Sequence, residues 1–197
     1  MLHSVVSELL SNILALNFAD KVGGIVYPMQ KEIINSEGGT VVKTFPVYGN
    51  DPTVCESGDY IEMLPDSDLK SVIYFESTPE SVVSCGNPVT SNSTLTCVCW
   101  FNLAKINKNL RTGEGLLHLV ANSINGSWNI TIGTTVVHTV LTLINIDFRN
   151  PQYFAKWSIN EANKQFLIYP RDFGAVQFDV QLNYGICEDE PIIDPLC

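Results

Sequence analysis

Residues 174–184, GAVQFDVQLNY, constrain this chain more than any other stretch. Val176, Phe178, Val180, Leu182 and Tyr184 alternate without a break against Gln177, Asp179, Gln181 and Asn183. Successive side chains leave a strand on opposite faces, so this segment is a strand with one buried and one wet face. Such a strand needs antiparallel neighbours and an apolar layer on one side.

The neighbours are legible. Residues 23–30 and 38–48 open on glycine pairs and carry β-branched and aromatic side chains. Residues 69–77 and 93–107 read as strands, the latter the strongest in the centre of the chain. SWNITIG is a short strand, and residues 134–148 fit both periods but lean to strand on their β-branched content. Two stretches read as helix. Val6, Leu9, Leu10, Ile13 and Leu16 recur at helical spacing and form one apolar stripe. Residues 112–124 follow, with Gly113 and Gly115 weakening the first turn.

Residues 49–68 are rich in Gly, Pro, Asp and Ser and read as a long loop or insertion, and 78–93 as a polar connector or hairpin. The expected architecture is α+β: a mostly antiparallel sheet with an N-terminal amphipathic helix, one or two further helices and long loops. Residues 1–185 form one domain with an insertion around 49–68. Residues 186–197, with their acids and prolines, form an extended acidic C-terminal arm.

Charge and targeting signals narrow the function. Eleven Lys and Arg against twenty-one Asp and Glu leave a formal charge of −10, which repels phosphate backbones and argues against sequence-independent nucleic-acid binding. No Lys or Arg precedes Lys21, and Ser4, Ser7, Glu8, Ser11 and Asn12 interrupt the apolar run, so the expectation is a soluble chain that is not exported. No segment approaches the about eighteen apolar residues of a membrane span. Three Asn-x-Ser/Thr sequons, at Asn92, Asn125 and Asn129, pull the other way.

Cys97 and Cys99 pose the sharpest chemical question. On a strand they share a face with Leu95, Phe101 and Leu103, while Val98, Trp100 and Asn102 take the other. Same-face neighbours lie roughly 6.5–7 Å apart along the strand, too far for an unstrained mutual disulfide. They read as buried thiols that pack as small hydrophobes. Trp100 then either lies under a second layer or faces a partner.

Structural zinc takes paired ligands two to four residues apart. His3, His118, His138, Cys55, Cys85, Cys97, Cys99, Cys187 and Cys197 offer one C-x-C and no second close pair, so no metal or other cofactor is expected. No phosphate-binding glycine motif and no G-x-S-x-G elbow is present. His118 and His138 sit in apolar runs and read as core or interface residues, and the DSD and EDE carboxylates read as solvated.

Three segments carry a resemblance: Pro65, Asp66 and Ser67 feeding the Tyr74–Phe75 strand; Cys99 to Leu103; and Tyr169 to Phe173 leading into the last strand and Cys187. Their order is similar to that in head-to-tail joining and tail-terminator proteins of tailed bacteriophages infecting Bacteroidetes, the crAss-like phages included. The resemblance implies a virion protein, not an enzyme, assembled in the host cytoplasm. It would form a six- or twelve-fold ring between portal, connector or tail proteins, with DNA passing through unbound and no membrane contact. Each subunit of such a ring needs two different adhesive surfaces. Trp100, Ile192, Ile193 and Leu196 are the candidate interface residues. A secreted, disulfide-bonded adhesion domain is the alternative, and a small hydrolase with an unrecognised site a further rival.

Overall fold

The computed structural model describes residues 1–34, 38–49, 60–66, 68–79, 81–84, 89–150, 152–157 and 171–184. Helix α1 (Leu2–Leu14) buries Leu2, Val5, Val6, Leu9 and Ile13, an i, i+3, i+4 stripe, and turns Ser7, Glu8 and Ser11 to solvent. Leu10 and Leu16, expected on the stripe, are only partly buried at its margin. A second helix, α2 (Leu103–Ile106), is a single turn, and α3 (Glu114–Ile124) follows behind Gly113 as expected. A last short turn, α4 (Gln152–Ala155), precedes the final strand.

The main sheet has the order β1 (Lys21–Ile25), β5 (Ser71–Ser77), β7 (Val89–Asn102), β10 (Arg171–Tyr184), β9 (Thr135–Phe148) and β8 (Gly126–Ile132), with β6 (Ser81–Ser84) beside the first part of β7. All its pairings are antiparallel except β1 with β5. The crossover that a parallel pair requires is here a small antiparallel sheet of β2 (Tyr27–Ile34), β3 (Thr40–Gly49) and β4 (Tyr60–Glu62). The alternating segment read from sequence is β10, paired along its whole length with β7.

Two cores result, one on each face. Helices α1 and α3 cover Ile73 and Phe75, the Leu95–Phe101 face of β7, and Val176, Phe178, Val180 and Leu182. On the opposite face Val72, Tyr74, Val98, Trp100 and Ala175 lie under Val26, Met63 and Trp157, with Tyr48, Leu64 and Leu69 at the margin. The segment around 49–68 is described at residues 49, 60–66 and 68. Its described part contributes β4, Met63 and Leu64 to this lid, because a sheet that is apolar on both faces needs a second cover. In the polar stretch 78–93, expected as a connector or hairpin, β6 pairs antiparallel with β7.

Close approaches explain two glycine positions. A Cβ on Gly24 would lie 2.6 Å from Cε2 of Tyr48, so this glycine lets the small sheet settle against β1. At Gly174 a Cβ would lie 2.5 Å from Cδ1 of Leu117 and 2.8 Å from the carbonyl oxygen of Asp147, where α3 and β9 both crowd β10. A side chain colliding with backbone cannot swing away. Gly174→Ala is expected to cost about 1–3 kcal/mol of stability by overpacking. A lowered urea midpoint at unchanged slope is the measurement that checks it.

Candidate functional site

The cysteine pair is inert packing. Cys97 and Cys99 are both fully buried free thiols with their sulfurs 3.8 Å apart. Burial pushes the Cys97 thiol well above its ordinary pKa, and the contact with Cys99 adds to the rise. The thiolate that would serve as nucleophile or metal ligand is thereby disfavoured. Among the described residues no group of three His, Cys, Asp or Glu side chains is placed to hold a metal ion. With these two cysteines free, three bridges cannot be drawn from the chain's six cysteines.

Trp100, a candidate interface residue, is 1% exposed and belongs to the second core. The layer over it is made by residues 26, 63 and 157. As a surface for a partner it is replaced by a packing role. Ile192, Ile193 and Leu196 lie outside the described residues. His118 and His138, read as core or interface from their apolar surroundings, are both exposed. His138 Nδ1 hydrogen-bonds Asn129 Oδ1 at 2.8 Å, and His3 stacks on Tyr27 with ring centroids 5.4 Å apart.

One buried charge organises the end of the sheet where β10 begins. Asp172 is 3% exposed, and its two oxygens accept from Arg149 Nε at 2.7 Å and from the Gly113 backbone N–H at 2.8 Å. The contact raises the Arg149 pKa, chiefly through the hydrogen bond to Asp172. It ties the first turn of α3 and the β9–α4 corner to the start of β10. Beside it Asp147 accepts from Asn150 Nδ2 and Tyr153 OH, and burial pushes Tyr153 up to about 12. These groups hold elements together.

Two hollows remain. The first, about 360 Å³, lies between His3, Tyr27, Glu76, Lys156 and Trp157. Its charges answer each other, with Lys156 Nζ 2.5 Å from Glu76 Oε2 and over the Trp157 ring. The second, about 400 Å³, has walls of Phe18, Ile106, Leu110, Leu116 and Leu119 with Asn17, Lys70 and Asn107. It sits on the helix face, at the end of the sheet where β5 begins and β7 ends.

Exposed aliphatic side chains are spread over the described surface, with Val136 (57%), Leu14 (54%), Leu119 (49%) and Ile61 (39%) standing apart from two further groups. Towards the end of the β2–β3 hairpin Ile34 (75%) and Val42 (55%) share one face and Val41 (39%) takes the other, since Ile34 pairs with Thr40 and Ile33 with Val41. Leu143 (37%) and Ile144 (56%) lie on β9 beyond Leu141, the last position paired with β8. Between these sites the open half of the main sheet is polar and nearly neutral. Thr90, Asn92, Thr94 and Thr96 of β7 lie beside Asn183, Gln181, Asp179 and Gln177 of β10, with one carboxylate and no cation among them. No protein-family model, no curated protein and no solved structure matches the chain.

Two outcomes follow from these placements. Cys97 and Cys99 are expected to resist iodoacetamide in the native protein and to react in denaturant, as read by peptide mass mapping. Asp172→Ala leaves the buried Gly113 N–H without its acceptor and is expected to cost about 1–3 kcal/mol, measured by urea unfolding.

Proposed function

We propose that this chain is a non-enzymatic structural subunit that closes into a ring around the DNA path in the head–tail connector or tail of a bacteriophage virion. Its role there is that of an adaptor or tail terminator, in contact with portal, connector or tail proteins. The observation that carries this reading is the separation of its exposed aliphatic sites. The hairpin residues Ile34, Val41 and Val42 belong to the small sheet that follows β1, on one edge of the main sheet. Leu143 and Ile144 lie on β9, separated from β1 by the three strands β5, β7 and β10. Identical subunits close a ring through two different surfaces, and such surfaces must lie apart on each subunit. The sequence resemblance in residues 65–75, 99–103 and 169–187 points the same way.

The neutral half-face of β7 and β10 supports a place beside DNA. Affinity for a duplex grows with the number of cations that neutralise its phosphates. A wall of Thr, Asn and Gln hydroxyls and amides lets the duplex pass without holding it.

The test is the mass of the purified full chain by light scattering across a range of concentrations. A mass near six or twelve subunits is expected, with no retention of duplex DNA at physiological salt. A monomer at every concentration overturns the proposal.

A further inference from the structure

The hollow at the end of β5, between Glu76, Trp157 and the start of β2, holds more than an ion pair. Its volume of about 360 Å³ falls within the about 300–1,000 Å³ of small-ligand pockets. Ile25, Val26 and Pro28 give it an apolar side, and His3 stacked on Tyr27 gives it an aromatic one. Tyr27 is 45% exposed and Lys156 is exposed, so the hollow reaches the surface.

Three buried polar atoms gather beside it without a hydrogen-bond partner among the described residues: Tyr74 OH, Glu76 Oε1 and Trp157 Nε1. Glu76 and Trp157 line the hollow, and Tyr74 stands two residues before Glu76 on the same face of β5. Tyr74 is 2% exposed and Trp157 5%. Burial raises the Tyr74 pKa well above its ordinary value, the Glu76 charge adds to the rise, and the Trp157 N–H offsets part of it. The three groups are therefore neighbours, although no hydrogen bond closes between them. Lys156 Nζ takes only the other carboxylate oxygen, Glu76 Oε2, at 2.5 Å. Buried polar groups in folded proteins are nearly always met, so these three call for a partner from outside the chain.

The pattern of donors and acceptors names the partner. Trp157 Nε1–H only donates, the Glu76 carboxylate only accepts, and the Tyr74 hydroxyl does either. An ammonium group would answer Glu76 but not the indole N–H, and an anion would be repelled by Glu76. A hydroxyl donates and accepts at once, and so answers all three. A water does the same, but at about 30 Å³ it fills little of the hollow and leaves the apolar side bare. A ligand with hydroxyls on its edge and C–H groups on its faces suits both walls. We infer that this hollow binds a saccharide in its pyranose form, one ring hydroxyl donating to Glu76 Oε1 and accepting from Trp157 Nε1–H. The face of the sugar ring lies against Val26, Pro28 and Tyr27. Lys156 holds the carboxylate in place through its second oxygen. The site uses none of the exposed aliphatic residues on which the assembly reading rests, so either can fail without the other.

Saturation-transfer difference NMR on the full chain tests the site with four probes: methyl α-glucopyranoside, methyl α-mannopyranoside, methyl β-galactopyranoside and N-acetylglucosamine. Transfer to the ring C–H protons of at least one sugar is expected. Titration of that sugar against Tyr74→Phe and against Trp157→Phe is expected to show its Kd raised roughly three- to tenfold in each. Both variants remove a polar atom and keep an aromatic ring, and the Tyr74 hydroxyl has no partner to lose in the sugar-free protein, so the urea midpoint of Tyr74→Phe is expected to hold. Tyr27→Ala changes an exposed side chain, leaves the core intact and is expected to weaken binding likewise by removing the aromatic wall. Absence of transfer to all four sugars overturns the proposal, as does an affinity unchanged in Tyr74→Phe, Trp157→Phe and Tyr27→Ala. Glycerol, which has hydroxyls but no ring face, is the control, and binding of glycerol as tight as that of the best sugar also overturns it.

Discussion

The fold depends on one strand that is covered on every side. From Cys97 to Asn102, β7 is buried on both faces, and it pairs with β5 along one edge and β10 along the other. A strand so placed contributes apolar burial twice, at about 25 cal/mol per Å², but only if two separate layers form. Helices α1 and α3 supply one, and the small sheet with Met63 and Trp157 supplies the other. The parallel β1–β5 pair joins these layers. The backbone turns at Val26 from the main sheet into the lid, and Ser71 at the start of β5 donates its hydroxyl hydrogen to the Phe18 carbonyl at the end of the helix layer.

That arrangement leaves parts of the sheet that the two layers do not reach. The lower half of the β7–β10 face lies beyond the lid and is polar, while the β2–β3 hairpin runs past the lid and exposes aliphatic residues. The helix layer ends short of the corner where β7 runs into α2, which opens the groove walled by Ile106 and Leu110. The described surface thus includes polar, nearly neutral and aliphatic patches, although the total charge of the chain is strongly negative.

Much of this was written in the sequence where the pattern is local. The β10 alternation, the α1 stripe and the inward turn of Cys97 and Cys99 need only a period and a composition to be read. Trp100 was not decidable in that way. A strand with Val98 and Trp100 on its second face looks the same whether the cover is a partner or residues 26, 63 and 157, which are remote in sequence. Met63 and Leu64 were hidden among Asp, Ser and Pro, so their stretch read as loop although it closes a core. For His118 and His138, read as core or interface, exposure excludes the core: apolar neighbours in sequence do not bury a residue whose own position faces outward on a helix or near a sheet edge. The groove was out of reach altogether, since it exists only where Phe18 meets Ile106, Leu110 and Leu116.

The central claim is that this fold serves assembly around a passage, and direct imaging tests it most simply. Negative-stain electron micrographs of the purified full chain should show annular particles with a central opening wide enough for duplex DNA. Compact particles of single-subunit size, without an opening at any concentration, would contradict the account.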